Sequence, residues 1–179
     1  MSLMTRSANL YRIRVRIMNI NTDKACFFTG HRIIPAAHRA ILINDIRLAA
    51  QRLITEHNVT DFIAGGARGF DTLAATQILR LRGKFADIRL HLYLPCRDQA
   101  KLWTRTERET WQNIAENADD VLYVTDGDYV TGCMQKRNKA VVRDAAYGIV
   151  YLTHGRSGTY QTTAYAQELG RQLIRLPLT

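Results

Sequence analysis

From Lys24 onward, short apolar runs alternate with longer stretches whose apolar positions recur every three or four residues. The first run, ACFF with its core at 26–28, leads into TGHR. A helix is then expected from about Ala37 to His57, with an inward stripe of Leu42, Ile46, Ala49 and Leu53 flanked by Ile43, Ala50 and Ile54. A second strand near Asp61–Ala64 breaks into glycines within FIAGGARGFDTLAA (62–75). A helix from about Phe70 to Arg82 follows, with Gly83 placed as its C′ stop. The third strand covers about Ile88–Leu94. A polar helical stretch from about Gln99 to Asn117 comes next, anchored by Trp103, Trp111 and Ile114. VLYV (121–124), a helix from about Cys133 to Ala146, GIVYL (148–152), a helix ending near Gly170 and a last strand QLIRL complete the pattern. Such alternation predicts an α/β, Rossmann-like, doubly wound and mainly parallel sheet with helices on both faces. Ligands of such sheets bind beyond the carboxyl ends of the strands, so the loops that follow strands carry the chemistry.

Composition changes this picture little. The 179 residues and 46% hydrophobic content fit one domain with a substantial core, and there is no low-complexity tract or repeat. We assign residues 23–179 to that domain and residues 1–22 to an N-terminal arm or accessory strand. In the arm, MSL ahead of Met4 reads as a vector-derived leader, and Tyr11, Ile13, Val15 and Ile17 alternate as in an edge strand. The net charge of +9 and pI near 9.8 suit an anionic partner, although the arm holds part of that excess. Cys26, Cys96 and Cys133 are odd in number and far apart, which favours reduced thiols in the cytoplasm over disulfides or zinc. The five histidines show no ligand spacing, so no metal is expected. No run approaches about 18 apolar residues, so no membrane span is expected.

Chemistry gathers in four places. After the first strand, Gly30 permits a close turn while His31 and Arg32 offer hydrogen bonds to phosphate or sugar oxygens. At the second corner lie Gly65, Gly66 and Gly69 with Arg68 and Asp71, at a helix N-terminus whose N–H groups and dipole favour anions. Asp71 would repel a phosphate and suits a ribose hydroxyl or a base amino group. It also fits a plain helix cap or first-turn acid. In the helix CMQKRNKAVVRDAA, Met134, Val141, Val142 and Ala145 form the apolar stripe, and Arg137 falls on it beside Asn138. An inward arginine needs a partner, either an internal carboxylate or a ligand anion. Finally, Gly155, Ser157, Gly158 and Thr159 join a strand to a helix start, as a phosphate cradle or as ordinary caps.

Together these residues resemble the SLOG superfamily, the Rossmann-like group that includes the DNA-uptake protein DprA and the lonely-guy phosphoribohydrolases. The YpsA-like branch is the best match. Its pattern reads here as TGHR, GGARGFDTLAA, QAKLW, AD at 118–119, RN at 137–138 and SGTYQTTAYA, over roughly residues 24–170. The resemblance implies a crevice for a nucleotide or nucleotide-sugar ligand, ringed by Gly65–Gly69, Asp71, Arg137 and Gly158–Thr159, with no cofactor required. Lonely-guy enzymes carry P-G-G-x-G-T-x-x-E together with an arginine on the preceding helix. Arg137 matches that arginine, but Thr162 stands at the glutamate position, and a threonine is no general acid or base near neutral pH.

Three functions therefore compete. The first is binding or sensing of a nucleotide-derived molecule. The second is N-glycosidic hydrolysis of a nucleoside monophosphate, with Arg137 and Asp71 as the catalytic candidates. The third is single-stranded nucleic-acid binding through Arg97, Lys101, Arg105, Arg108 and Trp103, although Glu107, Glu109 and Glu116 interrupt that basic face. Kinship and aromatic residues outside the predicted stripes leave a homodimer open.

Overall fold

The protein is described from a computed structural model covering residues 19–177. The strand expected through Tyr11, Ile13, Val15 and Ile17 lies outside the described residues. Among the described residues six strands and five α-helices alternate: β1 (Ala25–Gly30), α1 (Ala36–His57), β2 (Asp61–Ala64), α2 (Phe70–Leu81), β3 (Arg89–Leu94), α3 (Arg105–Asn117), β4 (Asp120–Tyr123), α4 (Cys133–Arg143), β5 (Tyr147–Tyr151), α5 (Gly158–Glu168) and β6 (Gln172–Arg175). The strands form one sheet in the order β4-β3-β2-β1-β5-β6, and each neighbouring pair runs parallel. The sheet is thus parallel throughout, not merely in the main.

The uninterrupted apolar run of β1 follows from its central place, because both of its faces are covered. Successive side chains alternate. Cys26 and Phe28 join the core formed with Leu42 and Ile46 of α1 and Leu73 and Ile78 of α2. Ala25 and Phe27 join the smaller core under Val141 and Val142 of α4 and Ala166 of α5. Burying each large apolar side chain stabilises the fold by about 1.5–3 kcal/mol relative to exposure. The stripe expected on α1 is the buried one, with Ala50 added to Leu42, Ile46, Ala49 and Leu53.

The chain runs outward from β1 through β2 and β3 to β4, and then returns to place β5 on the other side of β1. The loops leaving β1 and β5 therefore diverge toward opposite layers and leave a gap between them.

Three element ends differ from the sequence pattern. α3 starts at Arg105, not near Gln99, because Thr104 closes a capping box. The Glu107 amide donates to Thr104 Oγ1 at 3.3 Å, and the Thr104 amide donates to Glu107 Oε2 at 2.8 Å. Trp103 consequently precedes the helix instead of anchoring it. α4 stops at Arg143, where the Arg171 guanidinium donates to the Val142 and Arg143 carbonyls at 3.1 and 2.9 Å. Gly83 follows α2 but is not left-handed; the helix closes with a tighter turn in which the Gly83 amide donates to the Arg80 carbonyl at 3.3 Å. None of the helices among the described residues is long and apolar enough to cross a membrane.

Candidate ligand-binding crevice

At the gap between β1 and β5 lies a cavity of about 490 Å³, within the usual size of small-molecule sites. The β1–α1 loop supplies Gly30, His31 and Arg32, and the β2–α2 corner supplies Gly65 and Asp71. The buried face of α4 supplies Arg137 and Asn138, and the start of α5 supplies Ser157, Gly158 and Thr159.

Arg137 and Asp71 form the floor. Both are buried, at 6% exposure each. One terminal nitrogen of Arg137 donates to the Gly65 carbonyl and lies 3.4 Å from Asp71 Oδ2. The same Asp71 oxygen accepts the Ala67 amide at 3.3 Å, and Thr72 Oγ1 donates to the Ala67 carbonyl at 2.9 Å. Burial pushes the Asp71 carboxyl up from its ordinary value, and the Arg137 guanidinium partly offsets this. Burial likewise lowers Arg137, with Asp71 opposing it. The guanidinium keeps its charge, because an arginine side chain does not deprotonate in proteins. Arg137 Nε has no hydrogen-bond partner among the described residues. The internal bridge and the crevice-lining position, posed by the sequence as alternatives, coexist in one side chain.

His31 occupies the wall nearest β5. Its Nε2 accepts the Thr153 amide at 2.9 Å, so the neutral ring carries its proton on Nδ1. The ring stacks on His154 with centroids 4.0 Å apart and meets Tyr151 edge-on. Burial, then the nearby His154, lowers its pKa below the ordinary histidine value. At the start of α5, Ser157 Oγ accepts the Tyr160 amide at 3.1 Å and acts as the N-cap. The amides of Gly158 and Thr159 have no intrahelical acceptor and stand beside the cavity.

Four expected residues lie outside this wall. Gly69 packs under the carbonyls of His31 and Arg32, and the next amide, that of Phe70, donates to the His31 carbonyl at 3.1 Å. Gly66 faces Leu94 and its carbonyl accepts Gln99 Nε2 at 3.0 Å, so it ties the corner to the β3 side. Arg68 turns toward Trp103 and Glu107. Gly155 is exposed, and no heavy atom among the described residues lies within 4 Å of where its Cβ would stand. Sequence reasoning missed Met134, Gln135, His154 and Gln161, which also line the cavity. The helical row from Met134 through Arg137 and Asn138 to Val141 was visible as an apolar stripe. Nothing in the period distinguishes the core end of that stripe from its crevice end.

Chemistry also gathers away from the crevice. His91 Nε2 lies 2.8 Å from Asp61 Oδ1 and His91 Nδ1 lies 3.1 Å from Asp120 Oδ2. Burial raises the Asp61 carboxyl, but hydrogen bonds from His91 and Thr60 and the charge of Arg89 prevail and hold it below the carboxylate range. Asp61 and Asp120 open their strands, so this cluster sits toward the opposite end of the sheet.

A family model, YpsA, described as the YspA SLOG family, matches residues 36–169. The chain belongs to this SLOG family. The matched segment begins at α1, so the Thr29–Arg32 loop, included in the motif-based resemblance, lies outside it. The uncharacterized SPbeta prophage-derived protein YoqJ of Bacillus subtilis is 31% identical over 140 residues, covering 70% of this chain and 81% of that protein. Among solved structures, DNA processing protein A from Helicobacter pylori, studied for its single-stranded DNA binding mode, matches with a TM-score of 0.65 and 21% identity over 88% of this chain and 67% of its own. DprA from Streptococcus pneumoniae matches with a TM-score of 0.63 and 17% identity, over 87% of this chain and 51% of its own. At such identities these two show a shared fold. This SLOG chain spans about half of the pneumococcal protein. Its Thr162 donates its hydroxyl to the Gly158 carbonyl at 2.7 Å.

Proposed function

We propose that the crevice binds a nucleotide-derived molecule, with phosphate at the start of α5 and near Arg137, and sugar or base near Asp71. One observation carries this reading: loops after β1, β2 and β5 and the buried face of α4 meet at a single cavity of about 490 Å³ at the switch point of the sheet. The open amides of Gly158 and Thr159 and the helix dipole favour an anion. Asp71 is the acceptor a ribose hydroxyl or base amino group needs. Binding is favoured over glycosidic hydrolysis because Thr162 spends its hydroxyl on a backbone carbonyl and offers no group that titrates near neutrality.

Nucleic-acid binding has less support. Asp126 stands beside Arg97 and Glu109 beside Arg105, so carboxylates interrupt the basic patch, and Arg108 donates to the Trp103 carbonyl.

Isothermal titration of the folded protein with purine nucleoside phosphates tests the binding reading. Saturable binding is expected. Asn138→Asp, which adds negative charge at a half-buried wall position without disturbing the Arg137 pair, should weaken it by about tenfold or more. Absence of saturable heat at millimolar ligand overturns the reading.

A further inference from the structure

Beside the main cavity lies a recess of about 50 Å³, lined by Arg32, Ala67, Arg68, Gln99, Trp103 and Met134. Arg32, Ala67 and Met134 face both spaces, so the recess adjoins the crevice. Its volume is that of about three or four water positions, which suits one tetrahedral anion and excludes a purine. Two arginines, Arg32 and Arg68, line it. Arg32 makes no hydrogen bond or ion pair among the described residues. Arg68 holds only a long 3.4 Å contact to Glu107 Oε1, across a pair that is 44% and 37% exposed. Glu107 is itself engaged by Thr104, whose amide and hydroxyl both donate to its other oxygen, at 2.8 and 2.9 Å. The Arg68 contact is therefore readily exchanged for a stronger one. The Arg68 guanidinium lies 5.8 Å from the centroid of the Trp103 ring, which lines the same recess. Arg137 in the floor, Arg32 at the shared wall and Arg68 in the recess thus form a row of cations. Within the wall of either cavity the acidic side chain is Asp71, already paired with Arg137.

We propose that the ligand carries a second anionic group, held in this recess between Arg32 and Arg68, and is therefore a nucleoside diphosphate or a diphosphate-linked nucleotide and not a monophosphate. The proposal rests on the nucleotide-binding reading above. A phosphate at the α5 start does not enter the recess, whereas a second anionic group on the same ligand reaches it past the wall that the two spaces share. Bidentate hydrogen bonding by arginine to phosphate oxygens supplies the selectivity.

The test is titration of the full chain at fixed ionic strength with the matched pairs AMP and ADP, and GMP and GDP. For the preferred base, the diphosphate should bind at least about tenfold more tightly than the monophosphate. Arg68→Ala, a surface change outside the crevice wall, should remove that advantage and leave monophosphate affinity within about twofold, with the unfolding midpoint unchanged, and Arg32→Ala should also reduce the advantage. Equal affinity for mono- and diphosphate overturns the second anion site and leaves nucleotide binding standing. A diphosphate advantage that survives both substitutions overturns the assignment to this recess. No binding of any of the four overturns both readings.

Discussion

A side chain at position 65 has nowhere to go, because the Arg137 guanidinium occupies the space a Cβ would need. The glycine break of the second corner is thus shaped by an arginine arriving from α4, and the Gly65 carbonyl becomes one of its acceptors. Gly65→Ala should cost about 1–3 kcal/mol in urea unfolding through overpacking, and should weaken ligand binding by displacing Arg137. His31 makes a different prediction. Its pKa is lowered in the folded state, so the folded protein takes up that proton less readily than the unfolded chain. The stability it contributes is present above the histidine range and is lost as the pH falls through it. The drop in thermal midpoint between about pH 7.5 and pH 5.5 should therefore be larger in the wild type than in His31→Gln. The loss from Asp61, whose pKa lies below the usual carboxylate range, belongs to more acid conditions and does not confuse the comparison. An inward Arg137 was legible from helical spacing. Its dual role was not, because Asp71 lies 66 residues away and only folding brings the two together.

At the level of elements, caps decided what periodicity could not. The stretch from Gln99 to Trp103 has helical composition, yet it forms turns. Lys101 and Trp103 donate their amides to Asp98 and Ala100, and Asp98 Oδ1 accepts the Tyr129 amide at 2.7 Å. Thr104 with Glu107 then starts α3 and leaves Trp103 free to face the recess. Thr104→Ala should cost about 1 kcal/mol in denaturant unfolding and reduce the diphosphate preference, because it releases Glu107 to compete for Arg68. The capping box was visible as a T-x-x-E spacing, and it is a better start signal than the apolar pattern that precedes it. Gly30 makes a similar point. The sequence reads it as permitting a close turn, and a Cβ there would strike the Phe70 ring of α2, so it also serves helix-to-strand packing.

Over the whole molecule, the alternation of short apolar runs with helical segments was enough to determine a parallel, doubly covered sheet. Long crossovers return each strand in the same direction, and only a strand buried on both faces is apolar throughout. The same reasoning placed chemistry at the carboxyl ends of the strands. The order of the strands was decided by tertiary structure alone. Local spacing does not say on which side of β1 the chain resumes after α4, and that choice creates the gap between β1 and β5. Tertiary structure also separated crevice from core along one face of α4, and sent Arg68 to a side recess while Arg32 faces both spaces. Sequence periodicity reports which face of an element is covered. What covers it depends on residues distant in the chain, and here that difference separates buried helix packing from the wall of an open crevice.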